Sequence, residues 1–192
     1  MGRILDRALE QAGLSDLAER VLQGRGVADA ERVRLRGADV LVLAGLADAV
    51  RERFHGEDVK LMDAAAAQRD PELIRLAFEW GGEGAHTGAE LLREVALARL
   101  ATPGKRSLGV RVDEIGLQLA QVALTFGADV LFGELGGGRI LPLLDGPEAR
   151  RAELTALIER AGRRVRPEPP RPPAQPAPSI ARPAASTLEG RS

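Results

Sequence analysis

Eight of the chain's 12 prolines stand between Pro167 and Pro183, and this clustering limits what can fold. Proline lacks an N–H and fixes φ, so a run such as PEPPRPPAQPAP cannot enter a helix interior or a central strand. From Arg163 onward there are six Arg, two Glu and little apolar mass, which reads as a disordered, PPII-like tail. A Pro-rich recognition segment would have the same composition. Without this tail 162 residues remain, with 21 basic and 26 acidic groups, so an acidic body precedes a basic tail.

Several functions are excluded by what the chain lacks. It has no cysteine, which removes disulfides, thiolate-ligated zinc and iron–sulfur clusters. Two His cannot build a His-rich metal site, and one Trp, four Phe and no Tyr give no stacking platform for single strands. The net charge of -1 disfavours a nucleic-acid binder. Met1-Gly-Arg-Ile-Leu-Asp-Arg is not a signal peptide. The apolar stretch Val40–Leu46 is far short of the roughly 20 residues that span a bilayer. A cytoplasmic protein without membrane insertion is expected. The 44% hydrophobic content is enough to bury a core.

Helical periodicity dominates the first 56 residues. Ile4, Leu5, Ala8, Leu9 and Ala12 form a stripe that ends at Gly13. Ser15, Asp29 and Asp39 are expected caps for three further helices. In the last of these, Leu43, Leu46, Ala47, Val50 and Phe54 share a face, and Gly56 ends it. Val59–Met62 is a short strand, and Ala64–Ala67 has only helix propensity. Residues 73–80 fit either a strand or a helix opened by Asp70-Pro71-Glu72. Thr87 starts a largely buried helix that runs to about Ala101. Leu108–Val112 alternates as a strand does. Ile115, Leu119, Val122 and Phe126 form a face closed by Gly127, and Leu154–Ala161 marks a last helix closed by Gly162.

No motif commits the chain to chemistry. Gly133–Arg139 is rich in glycine, but no Gly-Lys-Ser/Thr follows and the spacing is not a dinucleotide fingerprint, so a turn is expected. His55, before a helix-ending glycine, reads as structural. His86, in the loop Gly81–Gly88, also reads as structural, and Trp80 as core. Asp113 and Glu114 suit a helix N-terminus, and Glu83 and Glu90 show no partner. No catalytic, cofactor-binding or metal residue is assigned, and no cofactor is expected.

Five phrases resemble a known family. They are LAERVLQGRG at 17–26, LVLAGLADAVRERFHGEDV at 41–59, LLREVALARL at 91–100, GLQLAQVALTFGADVLFG at 116–133 and ELTALIERAG at 153–162. Together they resemble the two ends of the radical-SAM enzymes of futalosine-type menaquinone biosynthesis, such as aminofutalosine synthase and dehypoxanthine futalosine cyclase. LIRLAFEWGGEG at 73–84 is similar to a late barrel strand of that family and its following loop. The family's three-cysteine loop is absent, since HGEDVKLMD runs directly into AAAAQRDPEL. No family catalytic residue transfers.

A closed (β/α)₈ barrel takes about 250 residues and rarely fewer than 200, so 162 cannot build one. The expected fold is therefore mainly α, an α/β remnant of a partial TIM-type barrel. It comprises an N-terminal helical segment (1–56), a partial barrel (57–162) and the tail (163–192). At most three short parallel strands are expected, ordered 73–78, 108–112, 58–62, with Lys60 and Arg75 guarding two open edges. The resemblance implies a non-catalytic binding or regulatory protein, a pseudoenzyme linked to menaquinone biosynthesis. Alternatives are a subunit completed by a cluster-bearing chain, or a nucleoside binder around Gly81–Gly88. A protein partner or a homodimer is expected.

Overall fold

The computed structural model describes residues 2–78, 87–102, 104–134 and 147–167, with only the backbone described at 29 and 147–150. Trp80, Glu83, His86, most of the glycine-rich run and the tail beyond Pro167 lie outside the described residues.

Four helices open the chain: α1 (Arg3–Gln11), α2 (Ser15–Leu22), α3 (Asp29–Arg36) and α4 (Val40–His55). Then follow β1 (Asp58–Asp63), α5 (Ala64–Arg69), β2 (Leu73–Leu76), α6 (Gly88–Ala101) and β3 (Ser107–Arg111). The last elements are α7 (Val112–Thr125), β4 (Val130–Gly133), α8 (Pro147–Arg160) and β5 (Arg164–Val165).

The mainly helical α/β expectation holds. Capping explains where α4 and α6 begin. Asp39 accepts from the N–H groups of Leu41 (2.8 Å) and Val42 (3.3 Å). At α6, Thr87 N–H donates to Glu90 and Glu90 N–H donates to Thr87 Oγ1, a reciprocal box. Glu90 thus has the partner that the sequence did not reveal. Ser15 and Asp29 are first helical residues rather than caps; Leu14 and Ala28 precede them. Leu14 is buried, and Glu31 reaches back to the Ala28 N–H, so neither helix needs a capping side chain.

The strand count corrects the expectation. There are five strands, not at most three, all parallel and ordered β2-β3-β4-β1-β5. β4 lies between β3 and β1, and β5 pairs with the far side of β1 at Asp58 and Val59, so β1 is not the edge strand expected. Val130–Gly133 is buried throughout, as a strand covered on both faces should be. Residues 73–76 resolve as strand: Asp70 Oδ1 accepts from Glu72 N–H in a turn, and no helix starts there.

The tail boundary at Arg163 is also corrected. Arg164 and Arg166 donate N–H groups to Glu57 and Val59, and Arg163 holds Asp48 with two bonds of 2.7 and 2.8 Å. Ending the chain after Gly162 is expected to lower unfolding free energy by about 2 kcal/mol, for the charge-assisted bonds and ladder it removes. Ending it after Pro167 should leave the urea midpoint unchanged.

Alternation on the strands sorts residues to two faces. Val59, Leu61, Leu108, Val110 and Leu131 join the large core with α4, α6, α7 and α8. Val130, Phe132 and Leu73 face the other way, onto Ala67 of α5. In α7 the buried residues are Val112, Ile115, Ala120, Ala123 and Leu124, and Phe126 is buried just beyond its end, while Val122 is exposed. Of the expected face, Ile115, Leu119 and Phe126 reach the core and Val122 alone does not; Gly116, at φ 78°, ψ 161°, interrupts the helix.

Candidate functional site

The path of the chain through the sheet identifies where a crevice opens. From β2 the chain steps through β3 to β4 with α6 and α7 on the large-core face. From β1 it travels the opposite way to β2, with α5 on the opposite face. Reversing both direction and face keeps one hand for every crossover, as parallel connections require. β1 and β4 are neighbours, and the helices that come next after them, α5 and α8, lie on opposite faces. In open parallel sheets this divergence makes a crevice at the carboxyl ends of the strands, the usual seat of a ligand.

The side chains there are charged. Asp63 ends β1 in register with Gly133 of β4. Its Oδ1 caps α5 at Ala66 N–H (2.6 Å). Arg111 ends β3; its Nε donates to Asp113 Oδ2 (2.9 Å) and its Nη1 to Glu114 Oε1 (3.3 Å). The hydrogen bond Arg111 donates to Asp113 leads in holding its guanidinium above the ordinary pKa, and the charges of Asp113, Glu114 and Glu134 add to it. Asp113 and Glu114 sit in the first turn of α7, as expected of helix-start acids, with Arg111 gathering them. Asp113 Oδ1 and Glu114 Oε2 are buried without hydrogen-bond partners. Gly133 makes the close approach feasible: a Cβ there would overlap Asp113 Oδ1.

Three carboxylates, Asp113, Glu114 and Glu134, thus act on the one Arg111 guanidinium, with Asp63 capping α5 at the end of β1. Such a rim favours a cation or a donor-rich ligand, such as a sugar with free hydroxyls, over a phosphate. Among the described residues no group of three or more His, Asp or Glu is placed to hold a metal ion. Nor is any helix among them long and apolar enough to cross a membrane.

A second charged group lies at the amino end of the strands. Arg99 is wholly buried; its Nε donates to Gly127 O (2.7 Å), its Nη1 to Arg106 O (2.9 Å), and its Nη2 to Asp129 Oδ1. Asp129 Oδ1 also accepts from Leu108 N–H (2.7 Å), and its Oδ2 lies 3.3 Å from His55 Nδ1. Burial pulls the Arg99 pKa down and Asp129 opposes it. Sequence reasoning missed this group. The available signal was an arginine within the buried helix LLREVALARL and an aspartate immediately before VLFG.

His55, packed against Asp129, sits in a setting that is sensitive to protons. Burial pushes its pKa below the ordinary 6.5, against the attraction of Asp129 and with Arg99 and Lys60 reinforcing the drop. Well above that ordinary value both folded and unfolded chains hold a neutral imidazole, and the stability contribution is complete. As pH falls through it, the unfolded chain takes a proton that the folded chain resists, so stability declines until the folded pKa is passed. Urea midpoints measured from about pH 7 to about pH 5 should decline less steeply in His55→Gln than in the parent.

No family model, curated protein or solved structure matches this chain.

Proposed function

We propose that the protein is a non-catalytic binding or regulatory protein related to the radical-SAM menaquinone-biosynthesis enzymes that its phrases resemble. The observation that carries this reading is a charged crevice at the β1/β4 divergence in a chain without a single thiolate. The crevice has carboxylates to accept hydroxyl or amine donors, and no cysteine exists to ligate a [4Fe–4S] cluster. The ligand class this favours is a nucleoside, with Asp113 and Glu114 accepting from ribose hydroxyls. The second reading, a subunit completed by a cluster-bearing chain, draws on the edge strand β2, whose one ladder partner among the described residues is β3.

Anaerobic reconstitution with iron and sulfide is expected to give no cluster absorbance, and S-adenosylmethionine cleavage should remain at background. Dithionite-dependent 5′-deoxyadenosine from the pure chain would refute the non-catalytic reading. Calorimetric titration with adenosine and S-adenosylmethionine tests the crevice. Binding weakened in Asp113→Asn supports it. Absence of heat with both compounds, together with purification from the native host that brings down no menaquinone enzyme, removes the pathway assignment.

A further inference from the structure

We propose that the protein binds a small monovalent anion of the chloride class where α4 meets the segment that enters β5. Asp48 and Arg51 lie one turn apart on α4, and Arg163 stands just before β5. Arg51 Nε donates to Asp48 Oδ1 at 2.9 Å. Arg163 Nη2 donates to the same oxygen at 2.7 Å and to Oδ2 at 2.8 Å. One carboxylate therefore serves two guanidinium groups, and among the described residues neither has another. The Arg51 side chain is wholly buried and that of Arg163 is 15% exposed, so water screens little of the positive charge left over. Buried charge is costly unless it is paired. A third cation stands near: after burial, the charge of Arg51 helps to hold the Arg99 pKa down, and Asp129 is engaged by Arg99 itself.

Each of the two guanidinium groups also has a donor to spare. Arg51 Nη1 donates to Gly56 O, while its Nη2 is buried with no partner. Arg163 Nε is buried with no partner as well. In a planar guanidinium, Nε–H and one terminal N–H form a fork suited to an anion. Arg51 places Nε on Asp48 and leaves Nη2 open; Arg163 places Nη2 on Asp48 and leaves Nε open. The excess is thus one positive charge with two open donors, which suits a monovalent anion. A divalent anion would bring surplus negative charge against Asp48, and a neutral acceptor would leave the excess in place. Asp48 is 28% exposed and gives the route from solvent. Gly56 leads into β1 and Arg163 into β5, so this site lies at the amino end of the sheet, away from the Arg111 crevice.

The test is the thermal midpoint of the full chain titrated with potassium chloride, with potassium gluconate exchanged for it to hold ionic strength fixed. A saturable rise of roughly 4 °C is expected by about 100 mM chloride. Arg163→Met removes one open donor and the excess charge together, and should flatten the titration. Asp48→Asn doubles the excess and should move half-saturation about tenfold lower, where a plain structural ion pair would leave chloride without effect. The folded parent chain should also broaden the chloride NMR line, and bromide should reverse the broadening, which reads binding without any variant. A midpoint that follows ionic strength alone, a chloride response that survives in Arg163→Met or weakens in Asp48→Asn, or a chloride line unchanged by the protein would overturn the proposal.

Discussion

Asp129→Ala is expected to destabilise the protein by about 3–5 kcal/mol, which is what removing one partner of a buried ion pair costs. Asp129 is 2% exposed and is the only carboxylate bonded to the wholly buried Arg99 among the described residues. Two carbonyl bonds from Arg99 would survive, but its charge would remain in the core without a counter-ion. Leu108 N–H, at the start of β3, would also lose its acceptor. Domains of this size have stabilities of about 5–15 kcal/mol, so the loss should lower the thermal midpoint by roughly 10 °C. Differential scanning calorimetry reads it directly. An effect under about 1 kcal/mol would mean that the guanidinium reaches water instead. Replacing Arg99 and Asp129 together, with Met and Leu, should recover much of the loss, since an apolar pair carries no desolvation debt.

Gly127→Ala is expected to cost about 2–4 kcal/mol through backbone strain and overpacking together. Gly127 follows the Phe126 that ends α7 and has φ of 100°, where a Cβ is unfavourable. Its space is also taken: a Cβ there would lie 2.8 Å from Arg99 Cγ and 3.2 Å from Ala47 Cβ. The same residue supplies the carbonyl that receives Arg99 Nε. Both substitutions therefore act on Arg99, and the double variant Gly127→Ala/Asp129→Ala should lose less than the sum of the singles. Urea denaturation of the four proteins gives the coupling. Strict additivity would show that Gly127 acts through local backbone strain alone.

How much was legible in advance follows the range of the interactions. Asp39, Thr87 and Gly56 announce α4 and α6 because capping is local, settled within one helical turn. The face of α4 was also legible, since Leu43, Leu46, Ala47 and Val50 repeat with the helix. β4 was not legible. A short apolar run covered on both faces has no alternation to separate it from a buried helix, and here it directly follows one. β5 is two residues long, and only its pairing with β1 distinguishes it from the Arg- and Pro-rich sequence around it. Of the crevice, the helix-start acids were legible one by one. Their neighbours Asp63 and Gly133 come from strands 70 residues apart in sequence, joined by the β1–β4 register.

The two margins of the sheet differ in valence. Along β5, the N–H groups of Arg164 and Arg166 point inward to β1, so the outward positions are Val165 and Pro167. Pro167 has no N–H to offer a further strand, and this margin is chemically capped at its second outward position. Among the described residues the opposite margin, β2, has no such cap, and Arg75 turns its guanidinium back onto the Ala67 and Gln68 carbonyls. Among the described residues, then, β2 is the margin with ladder positions to offer, and Pro167 withholds an N–H from a strand beyond β5.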